Sequence, residues 1–260
     1  MKILKFGGTS VGSPQRMKDV CQLITDGEHK IVVLSAMSGT TNSLVEIADY
    51  IKKHNPEAAN SVINKLHNVY KQHVAELFAK EENVKKTNDL LHDIFMHLHT
   101  LTMEEYSDKL EKEILAQGEL MSTNMVTNYL KEIGVKVALL PALDYMRTDA
   151  NGEPDSPYIK EHLNEVLKKA GSCDLYITQG FICRNSKGDI DNLQRGGSDY
   201  TACLIGAVLR AEEIQIWTDI DGMHNNDPRF VPNTTPVRQL NFEEAAELAY
   251  FGAKILHPTC

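Results

Sequence analysis

The chain has no long apolar run, no block of basic residues and no paired cysteine motif, and each absence removes a class of function. No stretch approaches the length of a membrane span, and the lysines at positions 2 and 5 come too early for a secretory leader. The net charge of −9, from 27 Lys and Arg against 36 Asp and Glu, argues against nucleic acid or an anionic membrane as partner. Five cysteines (21, 173, 183, 203 and 260) are odd in number and contain no C-x-x-C. Cys173, Cys183 and Cys203 lie in or beside apolar runs, so the expectation is buried free thiols in a soluble cytoplasmic protein. No G-x-G-x-x-G follows any strand, which disfavours a dinucleotide oxidoreductase. No internal repeat or low-complexity linker divides the chain.

The order of strands and helices indicates a layered α/β fold. Residues 2–6 read as a strand ended by Gly7-Gly8-Thr9-Ser10-Val11-Gly12, and Pro14 suits the first turn of a helix. Ile31-Val32-Val33-Leu34 is continuously apolar, as in a sheet covered on both faces. A small polar loop, 35–42, then leads to a helix with apolar residues at 44, 47, 48 and 51. From about 54 to 130 strand signals are nearly lacking. Apolar positions 91, 94, 95 and 98, then 110, 114, 121 and 125, mark helices of an inserted layer. Strands at 135–140, 174–178 and 213–217 then alternate with helices at 158–170, 200–210 and 242–251. An Asn241…Glu244 capping box opens the last helix, and 236–240 reads as an edge strand. The expectation is a layered α/β domain on a mainly parallel sheet, with ligands beyond the carboxyl ends of its strands.

The loops at those ends carry small and hydrogen-bonding residues: Gly7-Gly8-Thr9-Ser10, Ser38-Gly39-Thr40-Thr41, Gln179-Gly180-Phe181 and Thr218-Asp219-Ile220-Asp221-Gly222. The richest stretch is Gln194-Arg195-Gly196-Gly197-Ser198-Asp199-Tyr200-Thr201-Ala202, at the start of a buried helix with Ser198 as its expected N-cap. Free amides, a positive helix end and a planar guanidinium suit a carboxylate or phosphate. Asp199 is out of place there unless a metal ion or a substrate proton belongs beside it. Gly7 to Gly12 has P-loop spacing, but Ser13 stands where the lysine would be, which argues against a true P-loop. Lys5 stands before the glycines, where it serves either as a strand-edge lysine or as a phosphate contact. Asp219, Asp221 and Asp227-Pro228-Arg229 fit a ribose and phosphates, or a salt-bridged surface turn. His92, His97 and His99 lie on one helix, but only 92 and 99 share a face, which argues against a metal site.

Five ordered motifs carry a specific resemblance. They are Lys5-Phe6-Gly7-Gly8-Thr9-Ser10-Val11, Arg195-Gly196-Gly197-Ser198-Asp199-Tyr200-Thr201-Ala202, Trp217-Thr218-Asp219, Asp227-Pro228-Arg229 and Phe251-Gly252-Ala253-Lys254-Ile255-Leu256-His257-Pro258. Together they resemble the aspartate kinase family across the whole chain. The resemblance implies the amino-acid kinase fold over 1–260, a three-layer α/β/α sandwich around a mainly parallel sheet, and phosphorylation of the β-carboxylate of L-aspartate by MgATP. The product, 4-phospho-L-aspartate, leads to lysine, threonine and methionine. It implies Lys5 and Asp199 as catalytic residues, with Thr41, Glu119, Phe181, Arg195 and Ser198 around aspartate. ATP would meet Lys5, Gly7, Gly8, Thr218, Asp219, His224, Arg229 and Lys254, with Mg2+ held mainly by the phosphates. His224 departs from the tyrosine of many relatives. Family members continue past position 260 into the rest of the kinase domain and paired ACT domains, so the resemblance implies a catalytic domain cut short. It is compatible with a homo-oligomer. A kinase of another amino acid such as glutamate, and a nucleotide-binding module without catalysis, stand as alternatives.

Overall fold

The computed structural model describes residues 1–193, 196–227 and 230–251. In chain order its strands are β1 (Lys2–Phe6), β2 (Lys30–Leu34), β3 (Val137–Leu140), β4 (Leu175–Gln179), β5 (Ile182–Arg184), β6 (Ile190–Asn192) and β7 (Glu213–Trp217). Its helices are α1 (Pro14–Ile24), α2 (Thr40–Lys52), α3 (Pro56–Leu77), α4 (Glu81–Leu101), α5 (Asp108–Glu132), α6 (Ser156–Ala170), α7 (Gly197–Leu209) and α8 (Phe242–Tyr250). Five strands form one parallel sheet in the order β3-β4-β2-β1-β7, and β5 and β6 pair as an antiparallel hairpin.

The unbroken apolar strands divide their side chains between two cores, because alternate residues face opposite sides of a sheet. Leu4, Phe6, Val32, Leu34, Leu175 and Ile177 pack with α1–α5. Ile3, Ile31, Val33 and Tyr176 pack with residues of α6 and α7 on the other side. Each such burial is worth roughly 1.5–3 kcal/mol, and the resulting α/β/α sandwich is the expected one.

The inserted layer is three helices, α3 to α5. Asn55 caps α3, whose first residue is Pro56, and Ser107 caps α5. Helix α5 touches α2, α4, β3, β4 and β6. That setting buries Gln117, Glu119, Ser122, Thr123 and Thr127 as well as its apolar residues. The histidines of α4 serve packing: His99 bonds Asn60, His97 meets Glu113 at 2.9 Å, and the ring of His92 lies near that of His67. Cys21, Cys173 and Cys183 are buried free thiols and Cys203 is half-buried; burial pushes the Cys21 and Cys183 thiols up to about 12. Among the described residues no helix is long and apolar enough to cross a membrane.

Two local expectations need correction. Ser198 is not an N-cap: Gly196 takes that position in the left-handed region (φ 78), and Ser198 lies within the first turn of α7. Residues 236–240 form no strand. Pro236, which lacks a donor for a ladder, makes an isolated bridge to His224, and Val237 donates to Met223 rather than to the edge of the sheet. The β5–β6 hairpin was not foreseen. Its turn is written in Asn185, whose side chain accepts from Lys187 and Asp189, and in Gly188 (φ 86).

Candidate functional site

Parallel register brings the site together. Phe6 lies opposite both Leu34 and Trp217, and Leu34 opposite Gln179, so four strands end level and their loops open onto one edge. The loops then approach more closely than side chains would permit. A Cβ on Gly8 would come 2.6 Å from the Ala36 carbonyl oxygen, and one on Gly180 would come 2.6 Å from Ser198 Cβ. Gly8 therefore lets the β1 loop pass against the β2 loop, where Ser38 N–H donates to the Gly8 carbonyl at 3.0 Å. Gly180 lets the start of α7 rest on the end of β4.

Within this frame Lys5 Nζ pairs with Asp199 Oδ1 at 2.6 Å, both side chains being largely buried. The contact is a close ion pair without the alignment of a hydrogen bond. The ammonium lies over Gly7, where an added Cβ would be 3.6 Å from it. A cavity of about 270 Å3 opens beside the pair, walled by Lys5, Thr41, Glu119, Phe181, Ser198 and Asp199, together with Ser35, Gly196 and Gly197. The first turns of α2 and α7 both reach it, so its wall carries the positive ends of two helices.

Glu119 is the unusual member, a carboxyl group only 5% exposed. Burial pushes it up to about 8, and the hydrogen bond from Ala36 N–H to Oε1, at 3.1 Å, opposes that rise. Its helix turn is tied from two directions. Ser122 donates to the Ser35 carbonyl at 2.9 Å. Gln179 Nε2 donates to Thr123 Oγ1 at 2.8 Å, Thr123 donates to the Glu119 carbonyl at 2.7 Å, and Gln179 Oε1 accepts from Ala142 N–H at 2.8 Å. Buried polar networks of this kind are costly unless every member is satisfied, and here they lock α5 to the ends of β2 and β4.

Phe181 is held in a strained backbone conformation. Its φ is 68, and Ile182 N–H donates across it to the Gly180 carbonyl at 2.7 Å, closing a γ-turn. A phenylalanine in that region is an outlier, and such strain persists only where the surroundings enforce it. Its own N–H donates to Thr201 Oγ1 of α7 at 3.1 Å and its carbonyl accepts from Leu193 at 2.8 Å. The β5–β6 hairpin that follows is fastened to α5 by Lys112–Asp191 at 2.7 Å and Lys109–Asp189 at 2.8 Å.

Thr218 and Asp219 do not join this cavity. They line a neighbouring one of about 280 Å3 with Phe6, Thr9, Ser10, Arg16 and Trp217, whose indole stacks on Phe6 at 5.6 Å. Both cavities border β1, the first at Lys5 and the second at Phe6 and the following Thr9 and Ser10. His224 lines neither cavity: it is buried, with Nδ1 2.9 Å from Thr234 Oγ1 and Nε2 2.6 Å from Asp221 Oδ1. Arg195, Arg229 and Lys254 lie outside the described residues. Sequence reasoning missed Ser35, the Ala36 amide and the Gln179–Thr123 link. The small polar loop 35–42 and the loop beginning at Gln179 signalled the region but not these contacts.

Comparison with known proteins gives the arrangement a context. The model of the amino acid kinase family matches residues 1–260. The chain is 35% identical over 266 residues to lysine-sensitive aspartokinase 3 of Escherichia coli, covering 98% of this chain and 57% of that protein. It is 36% identical to aspartokinase 1 of Arabidopsis thaliana, covering 98% of this chain and 46% of that one. Among solved structures, E. coli aspartokinase III in complex with aspartate and ADP superposes with a TM-score of 0.84 at 32% identity, over 100% of this chain and 58% of that one. The chain thus spans about half the length of the curated relatives it matches.

Proposed function

Since the chain belongs to the amino acid kinase family, we propose that it transfers the γ-phosphoryl group of MgATP to the β-carboxylate of L-aspartate, giving 4-phospho-L-aspartate and ADP. The observation that carries this reading is a single cavity holding a buried ion pair, Lys5–Asp199, at one side and a buried carboxyl group, Glu119, at another. A relative solved with aspartate and ADP supports the choice of both substrates.

The acceptor is a zwitterion with two carboxylates, and the cavity has complementary groups for each part. Glu119 takes the α-ammonium, which replaces the solvent that burial removed. The α-carboxylate goes to the amides at the start of α7, near Ser198, with Arg195 as its expected bidentate partner. Thr41, at the start of α2, faces the remaining carboxylate. That carboxylate is already ionised at neutral pH, so attack needs no general base. One of its oxygens attacks the γ-phosphorus in line, the bond from phosphorus to the bridging oxygen breaks, and ADP leaves with the electron pair.

Catalysis of such a transfer is positioning plus charge stabilisation. Lys5 meets the charge that develops on the transferring group, and Asp199 holds the ammonium in place beforehand. Gly7 and Gly8 admit the phosphates to the backbone, and Thr218 and Asp219 receive the nucleoside. Magnesium comes with the nucleotide. No cluster of three acidic, His or Cys ligands exists among the described residues, and Mg2+ commonly needs only one or two carboxylates besides phosphates and water. The product's place at the head of lysine, threonine and methionine synthesis is part of the same proposal.

Trapping with hydroxylamine tests it. The chain with MgATP should form a hydroxamate from aspartate and not from glutamate, whose extra methylene misplaces the attacking oxygen. Hydroxamate from glutamate alone would reassign the acceptor. ATP binding with no hydroxamate from either would leave a nucleotide-binding module.

A further inference from the structure

We propose that Gly118 is a positioning residue for the acceptor site: its missing side chain sets the spacing of α5 from the β2–α2 loop, and that spacing delivers the Glu119 carboxylate to the acceptor's ammonium. The inference rests on the reading of the cavity as an aspartate site.

Gly118 lies inside a 25-residue helix, where glycine is less stabilising than alanine and no turn requires it. The reason for glycine is across the interface. A Cβ built at 118 would come 2.8 Å from Ala36 Cβ, 3.2 Å from Leu44 Cδ1 and 3.4 Å from Thr40 Cγ2. Carbon atoms rest about 3.5–4.0 Å apart, so an alanine here drives α5 away from Ala36 by up to about 1 Å. Ala36 is the residue whose amide holds the Glu119 carboxylate, and the adjoining Ser35 carbonyl holds Ser122. Thr40 and Leu44 belong to α2, the helix whose first turn presents Thr41 to the cavity. One added methyl group therefore separates two elements that meet the acceptor, while Thr218 and Asp219, on the nucleotide side, line the other cavity, and the β1 loop meets Ala36 at its carbonyl oxygen rather than at its methyl group.

The predicted signature of Gly118→Ala is selective. The KM for aspartate, and its Kd by calorimetry with MgADP present, should rise about 10- to 100-fold, the scale expected for a displacement near 1 Å. The Kd for MgADP should stay within about twofold. Removing the opposing methyl group should undo the change, so Ala36→Gly combined with Gly118→Ala should recover at least about tenfold in aspartate affinity. An unchanged aspartate KM in Gly118→Ala, even with a lower Tm, would reduce Gly118 to a folding role and overturn the proposal. Failure of the double variant to recover affinity would overturn it as well. Should Gly118→Ala not fold, the double variant decides by itself: aspartate affinity within about threefold of wild type supports the inference, and a loss beyond tenfold refutes it. A wild-type chain that neither binds aspartate nor forms its hydroxamate would fail the underlying reading instead, and the inference would fall with it.

Discussion

Replacing Glu119 with glutamine removes one buried charge while keeping the shape of the side chain and an oxygen for the Ala36 amide. Burial raises the Glu119 carboxyl from an ordinary 4.5 to about 8. In the unfolded chain the same group loses its proton near pH 4.3. The folded state therefore holds a proton that the unfolded state has released, and stability falls as pH rises between those values. The contribution is complete below about pH 4.3 and is lost progressively until the pH passes 8. A tenfold change in a protonation equilibrium is about 1.4 kcal/mol, so the ionised carboxyl costs the fold roughly 4–5 kcal/mol above pH 8. Glu119→Gln carries no such dependence. Its Tm should exceed that of wild type by an amount smallest at pH 5 and largest above pH 8, where the gap is on the order of 10 °C for a chain of this size. Thermal unfolding of both proteins from pH 5 to 9 reads this directly. Parallel curves across the range would show that Glu119 ionises normally and would refute the burial argument. Aspartate should reverse the ranking, since its ammonium supplies the missing counter-charge. Wild type should release a proton on binding aspartate near pH 7, seen by calorimetry in two buffers of different ionisation heat, and the variant should bind far more weakly.

Lys5→Ala should lower kcat by at least about a hundredfold with little change in MgADP affinity, because its charge acts mainly in the transition state; an unaltered kcat in the hydroxamate assay would remove Lys5 from the mechanism. Phe181→Gly should be more stable to urea than Phe181→Ala by about 1 kcal/mol, reversing the usual order, since both lose the ring and only glycine is free of the cost of positive φ. Equal midpoints would mean that the turn is unstrained. Gly180→Ala should cost about 1–3 kcal/mol by forcing Ser198 and the start of α7 off β4, and a thermal midpoint within 1 °C of wild type, against the roughly 2–4 °C expected per kcal/mol, would contradict that packing.

The parts of this molecule that could be read from its sequence are those governed by neighbours along the chain. The strand Ile31 to Leu34 announces a sheet covered on both sides because every residue is apolar, and Asn241 with Glu244 announces a helix start because both halves of the cap lie within one turn. Polar loops after strands pointed to the edge of the sheet where both cavities open. Glu119 shows where local reading stops. A glutamate within a helix is ordinarily solvated, and nothing in Gln117-Gly118-Glu119-Leu120 states that Ala36, 83 residues earlier, will donate to its carboxylate. The role proposed for it came from motif resemblance, and its burial came only from the packing of α5 against α2, β3, β4 and β6. The same holds for Phe181, whose positive φ is imposed by Thr201 and Leu193 from two other elements. Ser198 was misread as a cap for a related reason. Capping preference favours its hydroxyl, but Gly180 draws the helix start so near β4 that the turn begins earlier, at a left-handed glycine. Tertiary contact outweighed local propensity at these three positions, and all three line the cavity where the proposed acceptor sits. Residues whose local preference is overridden are expected to gather at functional sites, since a site needs arrangements that the chain does not adopt unaided.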